Sequence, residues 1–352
     1  MSYPAARTLH DVAPYALLAP GQGSQKPGML TDWLSLPGTE QSLTRWSEIC
    51  DLDLLRLGTT ADATELVDTA TTQPLVVAAA LLAVAALHAA GGLGPDTIVA
   101  GHSVGELAAA AAAGVISPDD AIALAATRGR AMADACAANR TGMAAVLGGS
   151  LEEVLTRIAE LDLVPANHNA PGHLVVAGRI EALAALSADR PADAKVVVLP
   201  VAGAFHTEFM AAARDTVTRA IGKLVPRNPI RPLLSNLDGR PVTSGADALT
   251  KIAAQITRPV RWDLCTTTLR QEARLTTLLE LPPAGVLTAI AKRELPHLNR
   301  HPCAPPQPSP QLSTPSPPLP DPEARRSSLY EAGFRSPTEQ TQNDRHRVVP
   351  AV

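Results

Sequence analysis

Gly101-His102-Ser103-Val104-Gly105 sets a serine between two glycines in a G-x-S-x-G pattern. Such a serine becomes a nucleophile where a strand turns tightly into a helix. The turn lifts the hydroxyl into the open and the glycines tolerate its strained backbone. The helix N-terminus then aims N–H groups and a positive dipole end at a developing oxyanion. The flanks suit this chemistry. Asp96 to Ala100 (DTIVA) is a short β-branched run, and the Ala-rich stretch after Gly105 reads as a helix ending near Gly114. Ser103 is therefore the expected nucleophile.

A serine nucleophile needs a base. Of the nine histidines, His10 and His346 lie near the chain ends, His301 in a Pro-rich tail and His297 at the edge of the ordered part. His168 and His173 read as loop residues, His88 closes an apolar helix, and the elbow should turn His102 away. His206, in GAFHTEFM, follows the apolar run Val196 to Val201 and opens a helix, which makes it the best candidate. Its surroundings suit a helix-capping or core histidine equally well. Gln22, in GQGSQ, lies in a glycine loop after the first strand. Either its backbone N–H faces an oxyanion or the segment is a plain turn. The spacing is not that of a dinucleotide fingerprint, and without GK[ST] it is not a P-loop. Arg128 sits in Thr127-Arg128-Gly129-Arg130, after turns of mostly Ala, Ile and Leu. An arginine there snorkels to water or pairs with an acid, and a solvated face is the default.

The elements that must position these residues alternate. Tyr15 to Ala19 is a strand stopped by Pro20 and Gly21, and Met29 to Leu36 reads as a helix. Thr72-Gln73-Pro74 opens an Ala-rich helix whose apolar run, Leu75 to Leu87, is shorter than the ~20 residues of a membrane span. Ser117-Pro118-Asp119-Asp120 starts a helix running to about Asn139. Between Thr141 and Pro200, strands at Met143–Leu147, Leu174–Ala177 and Lys195–Leu199 flank helices at Leu151–Leu161 and Arg179–Ala188, an inserted β-α-β-α-β unit. The alternation predicts a parallel α/β core. Residues 1–13 read as a loose leader. Twelve prolines between Pro302 and Pro350 predict a disordered tail over 301–352.

Composition narrows the function. The hydrophobic fraction is 46%, enough for a sizeable core, while aromatics make up only 3%. A net charge of −4 gives no electrostatic reason to expect nucleic acid or an anionic membrane. Cys50, Cys136, Cys265 and Cys303 are far apart with no CxxC pair, so neither a metal site nor a disulfide framework is expected. A reducing compartment fits, and no secretion signal is visible, so the expected location is cytoplasmic.

Taken in order, APGQGSQKPGM, TTQP, AGHSVGELAA, TRGRAM, NHNAPGHLVVAG, VAGAFHTEFM, LLSNLDG, QITRPVRWDL and GVLTAIAKREL resemble the malonyl-CoA:acyl-carrier-protein transacylase family of fatty-acid synthesis across residues 14–298. The resemblance implies an α/β hydrolase-like parallel-sheet domain, residues 14–140 and 201–298, with an inserted ferredoxin-like subdomain, 141–200. It implies ping-pong transfer of a malonyl group from malonyl-CoA to the thiol of an acyl carrier protein. Ser103 would be acylated, His206 would be its base and Arg128 would bind the malonyl carboxylate. The N–H groups of Gln22 and Val104 would form the oxyanion hole, and the Gln255 carbonyl would orient the histidine. Asn167 and Asn236 match positions lining the site, and Phe205 resembles malonyl-selective members.

Coenzyme A enters as part of a substrate, so no cofactor is implied, and a monomer is expected. A basic rim for an acidic carrier protein could include Lys251, Arg258 and Arg293. The chain departs from the family at Leu281-Pro282-Pro283-Ala284-Gly285, where a G-P-G turn is usual, and in its Pro-rich tail. The rival functions are a trans-acting polyketide acyltransferase and a serine thioesterase of related fold.

Overall fold

The computed structural model describes residues 14–305. The expected leader, 1–13, and the tail from 306 onward lie outside the described residues. A five-stranded, all-parallel sheet is built from β1 (Tyr15–Ala19), β2 (Ile98–Gly101), β7 (Leu233–Leu234), β9 (Thr277–Glu280) and β10 (Asn299–Pro302), in the order β10-β9-β1-β2-β7. Strands covered on both faces read as unbroken apolar runs. Ala16, Leu17, Leu18 and Ala19 are all buried, with Leu17 and Ala19 packing into one core and Ala16 and Leu18 into the other.

The larger core is closed by α1 (Thr39–Cys50), α2 (Leu54–Thr59), α3 (Thr69–Ala89), α4 (Gly105–Ala112) and α5 (Pro118–Ala138). The α3 helix starts earlier than TTQP suggests. The Asp68 side chain accepts the Ala70 N–H as an N-cap, and Pro74 sits inside the second turn. A proline there removes one helical bond near an end whose first donors lack partners anyway. At 21 residues α3 is also long enough by length to cross a membrane, unlike the shorter apolar run read from sequence. In this fold Leu75 to Ala83 are buried in the protein core. The α5 helix begins as its sequence predicts, with Ser117 and Asp120 forming a reciprocal capping box around Pro118. Gly129 brings α5 close to α3, because a Cβ there would lie 2.9 Å from the Thr69 carbonyl oxygen.

The second sheet contains β3 (Thr141–Gly148), β4 (Val164–Ala170), β5 (His173–Arg179), β6 (Ala194–Val198) and β8 (Val260–Arg261), in the order β6-β3-β5-β4-β8. With α6 (Leu151–Glu160) and α7 (Ile180–Ala188), residues 141–198 form a β-α-β-β-α-β unit, one strand more than the sequence predicts. The missed strand, β4, reads VPANHNA. Its proline and five polar or small residues hide the alternation that marks a strand, and its register shifts twice against β5. His168 and His173 therefore lie in strands, not in a loop. β4 also pairs in parallel with β8, through Asn167 with Val260 and His168 with Arg261.

The remaining helices are α8 (Ala211–Ile221), α9 (Gly245–Gln255), α10 (Trp262–Gln271) and α11 (Val286–Glu294). Trp262, Cys265 and Leu269 of α10 join Leu287 and Ile290 of α11 in covering the sheet's second face. Regular structure continues past the expected boundary at 298. His301 and Pro302 belong to β10, and the Cys303 N–H donates to the Glu280 carbonyl. Proline is tolerated there because β10 is an edge strand. The whole is an α/β fold with a hydrolase-like parallel sheet and an inserted ferredoxin-like unit.

The junction between β2 and α4 is unusually tight. Ser103 is left-handed, with φ 54°. A Cβ on Gly101 would lie 2.2 Å from the Gly105 carbonyl, and one on Gly105 would lie 2.3 Å from the Ala19 oxygen. Gly105→Ala must therefore push α4 off the end of β1, and should cost about 1–3 kcal/mol. Gly94→Ala meets no atom within 4 Å and should be neutral in the same thermal melt.

Candidate active site

Ser103 stands at the elbow with its hydroxyl Oγ 2.8 Å from His206 Nε2. His206 follows the Val201–Phe205 loop, is 4% exposed and is itself left-handed, with φ 62°. Its Nδ1 lies 2.8 Å from the Gln255 backbone carbonyl, at the end of α9. A carbonyl can only accept, so Nδ1 carries the proton and Nε2 is left free to accept the serine proton. Burial pushes the His206 imidazole down to about 3. The nearby Arg128 cation adds to that, and the Gln255 carbonyl opposes it. The ring is thus a neutral base held in one tautomer by an uncharged acceptor.

Arg128 lies midway along α5 and is 2% exposed, not on a solvated face. The Ala-rich turns before it pack against α3, so the guanidinium is buried at the cavity wall instead of lying on an outer face. Its Nη1 donates to Gln73 Oε1 at 2.7 Å, and its Nη2 to Ser103 Oγ at 3.2 Å and Gln255 Oε1 at 3.4 Å. All three partners are neutral. Burial lowers the guanidinium's pKa to about 10, and the Glu106 carboxylate partly offsets this. Glu106 is buried in the first turn of α4, and burial pushes its carboxyl up to about 8 against the pull of the Asn236 N–H and Arg128.

Ser103, His206, Arg128 and Gln73 open onto a cavity of about 240 Å³ whose wall also includes Gln22, His102, Asn167, Asn169 and Phe205. Neither Gln22 nor Val104 gives its backbone N–H to an acceptor among the described residues. The Gln22 side chain reaches Thr69 Oγ1 at 3.3 Å, and Val104 caps α4. Asn167, on β4, is buried with its Oδ1 unpartnered, an acceptor with nothing to accept. His102 turns to Asn169, with Nε2 to Oδ1 at 3.0 Å, and lies edge-on to Trp262.

Asn236 is not among the residues lining this cavity. It sits behind the elbow, where its Oδ1 accepts the Ser103 N–H at 2.8 Å and its Nδ2 donates to the Gly101 carbonyl. Lys251 is tied to Asp238 at 3.1 Å and Asp247 at 3.4 Å, so its charge is already compensated and cannot serve as a free rim cation. Arg258 and Arg293 are exposed.

Sequence reasoning missed two residues. Gln73 was within a quoted motif, TTQP, as an amide embedded in an apolar helix. Glu106 is an acid directly behind the nucleophile in a run of alanines. In both cases a polar group on an otherwise apolar face was the available signal. Taken together, the site can activate a hydroxyl, carry its proton on a neutral imidazole and hold an anion beside the reacting carbon.

A family model described as "Acyl transferase domain" matches residues 17–305. The chain is 59% identical over 281 residues to the malonyl CoA-acyl carrier protein transacylase of Mycobacterium tuberculosis, covering 80% of this chain and 93% of that one. A crystal structure of the enzyme named MCAT from Mycobacterium tuberculosis superposes with a TM-score of 0.80 at 57% identity, covering 82% of this chain and 95% of the other. A second structure, described as a type II PKS acyl-carrier protein in complex with its malonyl-transacylase, gives 0.75 at 31% identity, with coverage of 82% and 95%. By the extent of the family match, the identity to curated relatives and the shared fold, the chain belongs to the acyl transferase domain family and is an acyltransferase.

Proposed function

We propose that the chain moves a malonyl group from malonyl-CoA to the prosthetic thiol of an acyl carrier protein, through an ester on Ser103, and so supplies fatty-acid elongation. One observation carries this reading. The Arg128 guanidinium is buried 3.2 Å from the nucleophilic oxygen with only neutral partners. A buried cation held by amides and a hydroxyl is poised for an anion that arrives with the substrate. The names of the relatives support the same substrate pair.

The reaction runs in two halves. Ser103 Oγ attacks the thioester carbonyl as its proton passes to His206 Nε2. The tetrahedral oxyanion accepts the N–H groups of Gln22 and Val104. Collapse breaks the C–S bond, and His206 returns the proton to the leaving coenzyme A sulfur. The carrier thiol then gives its proton to His206 and attacks the ester. The intermediate collapses, and Ser103 recovers the proton as the malonyl thioester leaves. Gln255 keeps the imidazole in its tautomer throughout, and Phe205 limits the space beside it. Residues 14–140 with 201–298 supply the chemistry, and the 141–200 insert supplies Asn167 to the cavity wall. Every group used comes from one chain, so a monomer suffices.

Mixing with malonyl-CoA should add one malonyl group to the intact protein by mass, and Ser103→Ala should take up none. Acylation of the alanine variant, or an adduct that hydrolyses within seconds without a thiol acceptor, would oppose the transferase reading.

The depressed His206 pKa gives a second outcome. The base form is complete well above about pH 3, so single-turnover acylation should be nearly flat from pH 8 down to pH 5. A histidine at its ordinary value of about 6.5 would lose roughly 30-fold over that range.

Arg128→Ala should lower the ratio of malonyl to acetyl kcat/KM by ~30-fold to several-thousand-fold, because removing one partner of a desolvated charge pair costs roughly 2–5 kcal/mol. Arg128→Lys should restore only part of the ratio, since an ammonium cannot make the paired bonds of a guanidinium. An equal fall for both substrates would mean that Arg128 holds the fold and does not read the acyl carboxylate.

A further inference from the structure

Glu106 takes no part in the steps above, yet it is 3% exposed and lies at the centre of the hydrogen bonds behind the site. Its Oε1 accepts the Asn236 N–H at 2.7 Å, and its Oε2 accepts from Gln255 Nε2 in a short contact. Gln255 Nε2 also donates to Asn236 Oδ1 at 3.0 Å, and that oxygen is already committed to the Ser103 N–H at 2.8 Å. Two acceptors thus face one nitrogen.

We propose that Glu106 is a positioning residue, an acceptor-only carboxylate that fixes which end of the Gln255 amide faces Arg128 and so aligns the guanidinium for a carboxylated acyl group. The proposal rests on the malonyl reading above. An amide fills the same space either way round, so packing alone does not choose its orientation. The two acceptors do choose. With Nε2 toward Glu106 and Asn236, the Gln255 Oε1 is left facing Arg128 Nη2 at 3.4 Å. Flipped, the amide would put its NH₂ against the guanidinium and its oxygen against two acceptors. Gln255 is 1% exposed and Arg128 2%, so water cannot relieve those contacts. Burial pushes the Glu106 carboxyl up to about 8, which favours the protonated form, but both of its oxygens accept from N–H donors and the Arg128 cation lies nearby, and that geometry is the one a carboxylate needs.

Glu106→Gln is nearly isosteric and replaces one acceptor with a donor. Its oxygen can keep the Asn236 N–H, which leaves its NH₂ facing Gln255 Nε2 and forces that amide to turn. Glu106→Asp is shorter but keeps two acceptor oxygens. The readout is the ratio of malonyl to acetyl kcat/KM for Ser103 acylation, measured on the full chain. Glu106→Gln should lower that ratio by roughly 10- to 100-fold, the effect of mismatching one buried polar contact. Glu106→Asp should keep the wild-type ratio even where both rates fall.

A Gln variant with an unchanged ratio overturns the proposal, as does an Asp variant that loses the ratio as fully as Gln does. If the Gln variant does not fold, Gln255→Met removes the amide while keeping its volume and must lower the ratio in its place. An unchanged ratio there also overturns the proposal. Arg128→Ala separates the two levels. If it leaves the ratio intact, the malonyl reading itself fails. If it collapses the ratio while Glu106→Gln preserves it, only the role of Glu106 is lost.

Discussion

A cation buried beside the Ser103 hydroxyl, with only neutral hydrogen-bond partners among the described residues, sets the terms for the rest of this structure. Arg128 is held in that place by three neutral acceptors, Gln73, Ser103 and Gln255, which engage only part of its five N–H donors. The same positive charge helps keep His206 neutral, so its Nε2 is free to accept a proton without a carboxylate behind the ring. An acid in the usual third position of a triad would stabilise an imidazolium. Here the Gln255 carbonyl fixes the tautomer and adds no charge. The counter-charge lies one amide away, at Glu106, close enough to moderate Arg128 and far enough to leave its donors for something else.

Placing those groups requires backbones to approach closely. Gly101 and Gly105 let the elbow fold under β1, and Gly129 lets α5 lie against the start of α3, beside Gln73. The scarcity of aromatics in the chain fits the same need, because Ala-rich helices pack at short range and bring polar side chains together from four separate segments. Ser103 and His206 both adopt left-handed backbones that non-glycine residues avoid, and each is held there by neighbours rather than by local preference.

Much of this was legible in the sequence, and the reasons differ by residue. Ser103 announces itself, because its chemistry depends on a local turn with a local signature. The capping box at Ser117 and the buried run of β1 are likewise short-range. Arg128 was not legible from its own surroundings, since an arginine on an apolar helix looks the same whether its face meets water or a cavity. Only the path of α3 across it decides. β4 was missed because Asn167 and Asn169 serve the cavity and only the small Ala166 and Ala170 reach a core, which erases the alternation that betrays a strand. The domain boundary was set too early because β10 owes its existence to pairing with β9 and not to its own composition. Asn236 was expected at the cavity wall and lies behind the serine, a distinction of a few ångströms that no spacing rule contains.

The parallel pairing of β4 with β8 carries a consequence for motion. β8 follows α9 directly, only a few residues after the Gln255 carbonyl that holds His206. The inserted sheet is therefore stitched by main-chain hydrogen bonds to the segment that orients the base. It cannot swing open like a flap without unzipping that ladder and disturbing the imidazole. The part of the cavity wall that β4 provides is thereby tied to the same frame that holds the His206 ring.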